Sequence, residues 1–191
     1  GNAFLTITHA LSVTTLTPGV ATAINVLPGN YAMNFANPLL GETFPLTMPV
    51  KGVKLEAYAP GVVIDAFGSA PGTPVIEVVT PSPLGTLPAS IVRGLDITGG
   101  SVGVSVSATP VTLPSGADPV LRPEIRDCRI HHNLGPLLGG GFGIKVSNNS
   151  NLRTEVVIEN NEIDHHGTLN VPSAGIRIAT STADAADSTL I

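Results

Sequence analysis

Two histidine pairs, His131-His132 and His165-His166, stand at matching places in a repeated stretch of this sequence. The first copy reads Glu124-Ile-Arg-Asp-Cys-Arg-Ile-His-His-Asn133, and the second reads Val157-Ile-Glu-Asn-Asn-Glu-Ile-Asp-His-His166. Aligned on Ile130 and Ile163, 33 positions apart, His132 falls beside His165 and His131 beside Asp164. Stacked repeats bring such side chains to about 5 Å from one another. Imidazoles grouped with a carboxylate can bind Zn2+ or a similar cation. The candidate metal ligands are therefore His131, His132, Asp164, His165 and His166. A duplicated polar turn accounts for the same residues, and spacing fixes no further ligand. No cofactor is expected as obligatory, and Ca2+ or Zn2+ are the ions to consider.

A second set consists of carboxylates and arginines. Asp127, Arg129, Glu162 and Asp164 are the candidates for acid, base or cation-holding roles, with Asp127 near Arg126 or Arg129 and Glu162 near Arg129. The alignment also gives a structural explanation. Asp96, Arg129 and Glu162 form one column of alternating sign, and opposite charges on neighbouring strands stabilise by a few tenths of a kcal/mol. That ion ladder is the preferred reading. Arg93, Arg126 and Glu159 form a second, mixed column. Ser105, Lys145 and Arg177 form a third, the outward polar row that a solvated sheet face requires.

Other features carry less chemistry. The Gly-rich run at residues 139–143 lacks the following helix and the Lys-Ser/Thr of a phosphate loop, so it reads as a turn. Cys128 shares a column with Leu95, which predicts a buried, inert thiol. Asn133 aligns with Gly100 and His166, where an Asn amide can bond the neighbouring coil. Asn148-Asn149-Ser150 is an N-glycosylation triplet, meaningful in a eukaryotic secretory setting.

The elements that would position these groups follow from the repeat. Residues 91–106 supply a third copy, in which Ile97 matches Ile130 and Ile163, Val104 matches Ile144 and Ile176, and Gly99-Gly100 replaces the His pair. Self-similarity at this period is the signature of a solenoid. Short strands that cannot bury a face alone would stack parallel, aligning the apolar columns inward. Upstream, Phe4, Ile7, Ala10 and Leu11 have the spacing of a short amphipathic helix able to cover the open end. Strands are predicted over residues 21–27, 46–48, 53–55, 62–65 and 75–79, with turns at Pro28-Gly29 and Pro60-Gly61 and an unpaired Pro-rich loop over 80–90.

Composition sets the outer bounds. With 12% charged and 42% hydrophobic residues, the 191-residue chain is not disordered. Its 21 Gly and 17 Pro punctuate a Thr-, Ser-, Val- and Ile-rich sequence of all-β character. Net charge −5 and no basic run exclude the electrostatic footprint of nucleic-acid binding. No stretch is long and apolar enough for a transmembrane span. The single Cys128 cannot form an internal disulfide. One domain over residues 1–191 is predicted, with a cap (1–20), irregular first coils (21–90) and regular coils (91–191). The chain starts mid-pattern and ends without a closing element, so a piece of a longer protein is expected.

The N-terminal blocks carry a resemblance. Gly-Asn-Ala-Phe-Leu-Thr-Ile-Thr-His-Ala-Leu11, Ile24-Asn-Val-Leu-Pro-Gly-Asn-Tyr31, Gly41-Glu-Thr-Phe-Pro-Leu46 and Val62-Val-Ile-Asp65 follow one another. Together they resemble a domain of unknown function that opens many bacterial and archaeal pectate-lyase-like proteins. The resemblance implies a right-handed parallel β-helix, all-β, with a short N-terminal capping helix, in agreement with the crossover rule. It is specific for fold and silent on activity. With the composition, it implies an extracellular or cell-surface location in a prokaryote.

Two functions are expected from these readings. The first is a structural or carbohydrate-binding surface module whose partners are polysaccharide or other surface proteins, without evident catalysis. The alternative is a polysaccharide lyase or glycoside hydrolase acting on an acidic polysaccharide, with its groove on residues 93–98, 126–133 and 159–166. The first is preferred, because a ladder explains the acidic groups and aromatic sugar platforms are few, with five Phe and two Tyr.

Overall fold

The computed structural model of the chain describes residues 4–16, 19–80, 88–110, 120–135, 140–150, 153–167, 173–180 and 188–190. Strands of the first coil are β1 (Thr22–Val26), β2 (Gly29–Ala32) and β3 (Leu46–Pro49); those of the second are β4 (Val53–Ala57), β5 (Val62–Asp65) and β6 (Pro74–Val79). The third coil holds β7 (Ile91–Arg93), β8 (Asp96–Thr98) and β9 (Val102–Ala108). The fourth holds β10 (Val120–Leu121), β11 (Glu124–Arg126), β12 (Arg129–His131) and β13 (Phe142–Asn148). The fifth holds β14 (Arg153–Glu159), β15 (Glu162–Asp164) and β16 (Ala174–Thr180), and β17 (Ser188–Leu190) pairs with β14.

The coils place their strands in the same three sheets, the fourth contributing both β10 and β11 to the first. The paths are β1-β4-β7-β11-β14-β10, β15-β12-β8-β5-β2 and β16-β13-β9-β6-β3, and the pairings between these strands are parallel. The chain is thus a parallel β-helix, an all-β solenoid with one short α-helix. The predicted columns are in register: Ile97, Ile130 and Ile163 pair in one sheet, and Val104, Ile144 and Ile176 in another. Ile97, Ile130, Val104 and Ile144 are each 0% exposed. Burying such a side chain contributes roughly 1.5–3 kcal/mol.

Three departures from the sequence reading have plain causes. Residues 21–90 are more regular than their Pro and Gly content suggests: Leu55 pairs with Val92, Ile64 with Ile97 and Ile76 with Val104. Gly29–Ala32, directly after the predicted turn, is a strand that the sequence reading did not include, and it forms because it pairs with Val62–Asp65. Ile176 is 37% exposed, although its column is internal, because β16 is an edge of its sheet. Part of the Pro-rich loop, residues 81–87, lies outside the described residues, as does Gly139 of the Gly-rich run.

The helix α1 (Ile7–Ser12) is shorter than the apolar spacing suggests. Ile7 and Ala10 are buried, while Phe4 precedes the helix and is exposed against the His9 ring. The Thr6 hydroxyl accepts from His9 N–H as N-cap. Glu42, 5% exposed, adds a second cap. Its carboxylate accepts from Ile7 N–H at 2.7 Å and from Thr8 N–H at 2.8 Å. A buried carboxylate is stable there because it answers free N–H groups at the positive end of the helix dipole. Glu42 therefore ties α1 to the first coil.

Candidate functional site

The site is built from the two turns that flank the second strand of each coil. In the first turn Gly94 (φ 70°), Asp127 (φ 54°) and Asn160 (φ 55°) take left-handed backbone. In the second, Gly99 (φ 81°), His132 (φ 49°) and His165 (φ 49°) do the same. A left-handed conformation costs a non-glycine residue about 1–2 kcal/mol, less for Asn, Asp and His than for bulkier side chains. The histidines thus occupy the position that the third coil fills with Gly99.

Stacking then sets the geometry. His131 pairs with Asp164 across β12 and β15. The His132 and His165 rings lie face to face, 5.0 Å between centroids and 3° from parallel. His131 Nδ1 is 2.7 Å from His132 Nδ1, and His131 Nε2 is 2.6 Å from Asp96 Oδ1. A carboxylate only accepts, so the Asp96 contact places a proton on His131 Nε2, and in the neutral imidazole Nδ1 is then the acceptor that faces His132. The buried Asp164 Oδ1 pairs with His165 Nδ1 at 3.0 Å, and among the described residues no hydrogen-bond donor is aligned on it. The adjoining His165 imidazole holds the Asp164 carboxyl below the usual carboxylate range. Ligand atoms of His131, His132 and Asp164 all lie within 4.8 Å of one another.

His165 and His166 are placed differently. His165 is exposed and stacks on His132. His166 turns toward Gly143, and both of its ring nitrogens are buried with no aligned hydrogen-bond partner among the described residues. Desolvation by burial pushes its pKa below the ordinary histidine value, against the opposing charge of Asp164. In the coil before it the same place is held by Asn133, which is 0% exposed. Asn133 Oδ1 accepts from Gly100 N–H at 3.2 Å, and its Nδ2 donates to His131 O at 3.0 Å. This is the cross-coil Asn contact expected from the alignment. Asn161 makes a similar one, accepting from Cys128 N–H at 2.9 Å and donating to Ile125 O at 2.8 Å.

The carboxylate and arginine candidates form ion pairs. Arg129 lies 3.8 Å from Asp96 and 3.7 Å from Glu162, the predicted ladder. Asp127 does not pair with Arg126 or Arg129. It pairs with Arg93 of the preceding coil at 2.9 Å, because its left-handed turn directs the side chain along the stack. Arg126 bonds Glu124 at 2.7 Å and also Glu159. In the third column Arg177 stands 5.1 Å over the Phe142 ring.

Two remaining features are structural. Asn148 is 0% exposed and its side chain accepts from Ser150 N–H and Oγ, so the acceptor Asn of the glycosylation triplet is not presented to solvent. Cys128 is 2% exposed, and burial pushes its thiol up to about 11. Ellman's reagent is therefore expected to leave Cys128 unreacted in the native chain at mildly alkaline pH. Reaction should become complete after denaturation, and rapid native reaction would contradict the burial. A cavity of about 550 Å3 lies elsewhere, between α1 and β1, lined by Ile7, Ala10, Ile24 and Val26. Among the described residues no helix is long and apolar enough to cross a membrane.

Compared with known proteins, the chain matches no family model, no curated protein and no solved structure.

Proposed function

We propose that the chain is a non-catalytic β-helix module of a prokaryotic surface or secreted protein, structural or carbohydrate-binding, that uses its extended sheet faces as its working surface. The observation that carries this reading is the pairing of the would-be catalytic groups. Asp127 is neutralised by Arg93, and Arg129 stands between Asp96 and Glu162. A general base needs a carboxylate free to take a proton, and a cation-holding lyase site needs convergent carboxylates without arginines between them. The long parallel faces and the low charge support a display or binding role. Composition and the N-terminal resemblance support the extracellular location.

The test is turnover of acidic polysaccharides. Polygalacturonate and alginate, followed by unsaturated-uronate absorbance and by reducing ends, are expected to remain uncleaved by the wild-type chain. Cleavage that disappears in both Asp127→Ala and Asp164→Ala would overturn the reading. Retardation in gels containing such polysaccharides would assign the carbohydrate-binding form of the role over the structural one.

A further inference from the structure

We infer that His131, His132 and Asp164 form a binding site for a borderline transition-metal cation of the Zn2+ class, with Asp96 as the outer partner that orients His131. This inference stands apart from the proposed function, because it concerns one local cluster at the ends of β12 and β15 and the His132 turn, and does not depend on what the sheet faces bind.

Four observations carry it. Ligand atoms of the three residues converge within 4.8 Å, close enough for one cation to reach all of them after a small side-chain adjustment. The Asp96–His131 contact at 2.6 Å is the carboxylate–imidazole arrangement that fixes the tautomer of a metal-binding histidine, and it leaves Nδ1 as the donor atom. That Nδ1 faces His132 Nδ1 at 2.7 Å, a separation at which two lone pairs repel unless a proton or a cation lies between them. Asp164 Oδ1, a buried atom beside the two imidazoles, has the ion-pair contact to His165 Nδ1 at 3.0 Å but no hydrogen-bond donor aligned on it among the described residues, which leaves it able to turn to a cation.

The backbone points the same way. His132 and His165 hold left-handed φ values where Gly99 suffices one coil earlier. Strain of this kind persists where the side chain contributes something that glycine cannot. The donor set also selects the ion. Two imidazole nitrogens and one carboxylate oxygen suit Zn2+, Co2+, Ni2+ or Cu2+, whereas Ca2+ requires six to eight oxygens. Of the two ions considered from the sequence, the geometry favours Zn2+. Three protein ligands leave a coordination position for water, and the exposure of His132 gives the ion access from solvent. His165 would act through its stack on His132, as a positioning residue.

The test uses the 191-residue chain, stripped with EDTA. Zn2+ is titrated by calorimetry, and Co2+ binding is read from its visible d–d absorption. One saturable equivalent per chain is expected. The decisive variant is His132→Gly, because glycine accepts the left-handed backbone and removes the ring without threatening the fold. Its affinity for Zn2+ is expected to fall at least tenfold, with an unchanged or raised unfolding midpoint. Asp164→Asn should behave likewise, and Asp96→Asn should weaken binding about 10–100-fold. His9→Ala, in α1, serves as a control that keeps wild-type affinity. The inference is overturned if the wild type takes up no stoichiometric Zn2+, or if His132→Gly binds as tightly as the wild type.

Discussion

Truncating Ile130 to alanine is expected to lower the unfolding free energy by about 3–5 kcal/mol, the upper part of the range for large-to-small core substitutions. Ile130 is 0% exposed and pairs in register between Ile97 and Ile163. The β-helix interior is close-packed, and each coil is held by the backbone ladders above and below it. The walls therefore cannot collapse onto the void, and both the transfer and the cavity penalties apply. Ile163→Ala should cost less, because Ile163 is only partly buried. Guanidinium denaturation followed by circular dichroism measures both. A repeat protein can lose cooperativity when an inner coil is weakened, so the shape of the transition should be compared together with its midpoint. Equal and small losses for the two variants would mean that the Ile column is not the packed interior described here.

A glycine pair provides the second large effect, with an internal control. Gly143→Ala is expected to destabilise by about 3 kcal/mol, whereas Gly175→Ala should change stability by less than about 1 kcal/mol. A Cβ on Gly143 would stand 2.6 Å from Gly175 O and 2.7 Å from His166 Nε2, closer than real Cβ atoms come to their neighbours. One obstacle is backbone, so relief requires β13 and β16 to move apart and stretch the ladder that joins them. At Gly175 the nearest atom, Ile163 Cγ2, is 3.5 Å away, an ordinary contact. Thermal midpoints of the two variants decide the matter, and a Gly143→Ala chain as stable as Gly175→Ala would show that the coils can part at little cost. The two glycines are equivalent in the repeat, so no rule about glycine in strands separates them. Only their position in the stack does.

The histidine turn presents the same contrast between repeat and position. Gly99, His132 and His165 are equivalent by alignment and by backbone conformation. Gly99 leaves the side-chain space above its turn to its neighbours. His132 fills it and meets His131 on one side and His165 on the other. Removing the His132 ring therefore returns the turn to the state of the coil before it, which separates metal binding from folding in the proposed experiment.

Much of the architecture was legible in the sequence. The 33-residue offset and the apolar columns determined the parallel coils, the inward residues and the ladder of Asp96, Arg129 and Glu162. The reason is that stacked parallel strands repeat every coil at one height, so like side chains must align when the period is kept. The same regularity placed His131 beside Asp164 and His132 beside His165 before any coordinates. Other features depended on interactions that cross the coils. Gly29–Ala32 is a strand because Val62–Asp65 offers it a ladder, although Gly-Asn-Tyr-Ala has little strand propensity. Glu42 caps a helix 35 residues before it, a contact that exists only once the first coil has closed. Asp127 finds Arg93 because of a left-handed turn, and His166 turns inward while His132 and Asp164 meet. Sequence periodicity specifies which residues share a level, but the direction of each side chain at a turn depends on backbone angles and on the packing of the neighbouring coil. That is why the columns could be read in advance, and why the convergence of His131, His132 and Asp164 was decided only by the tertiary structure.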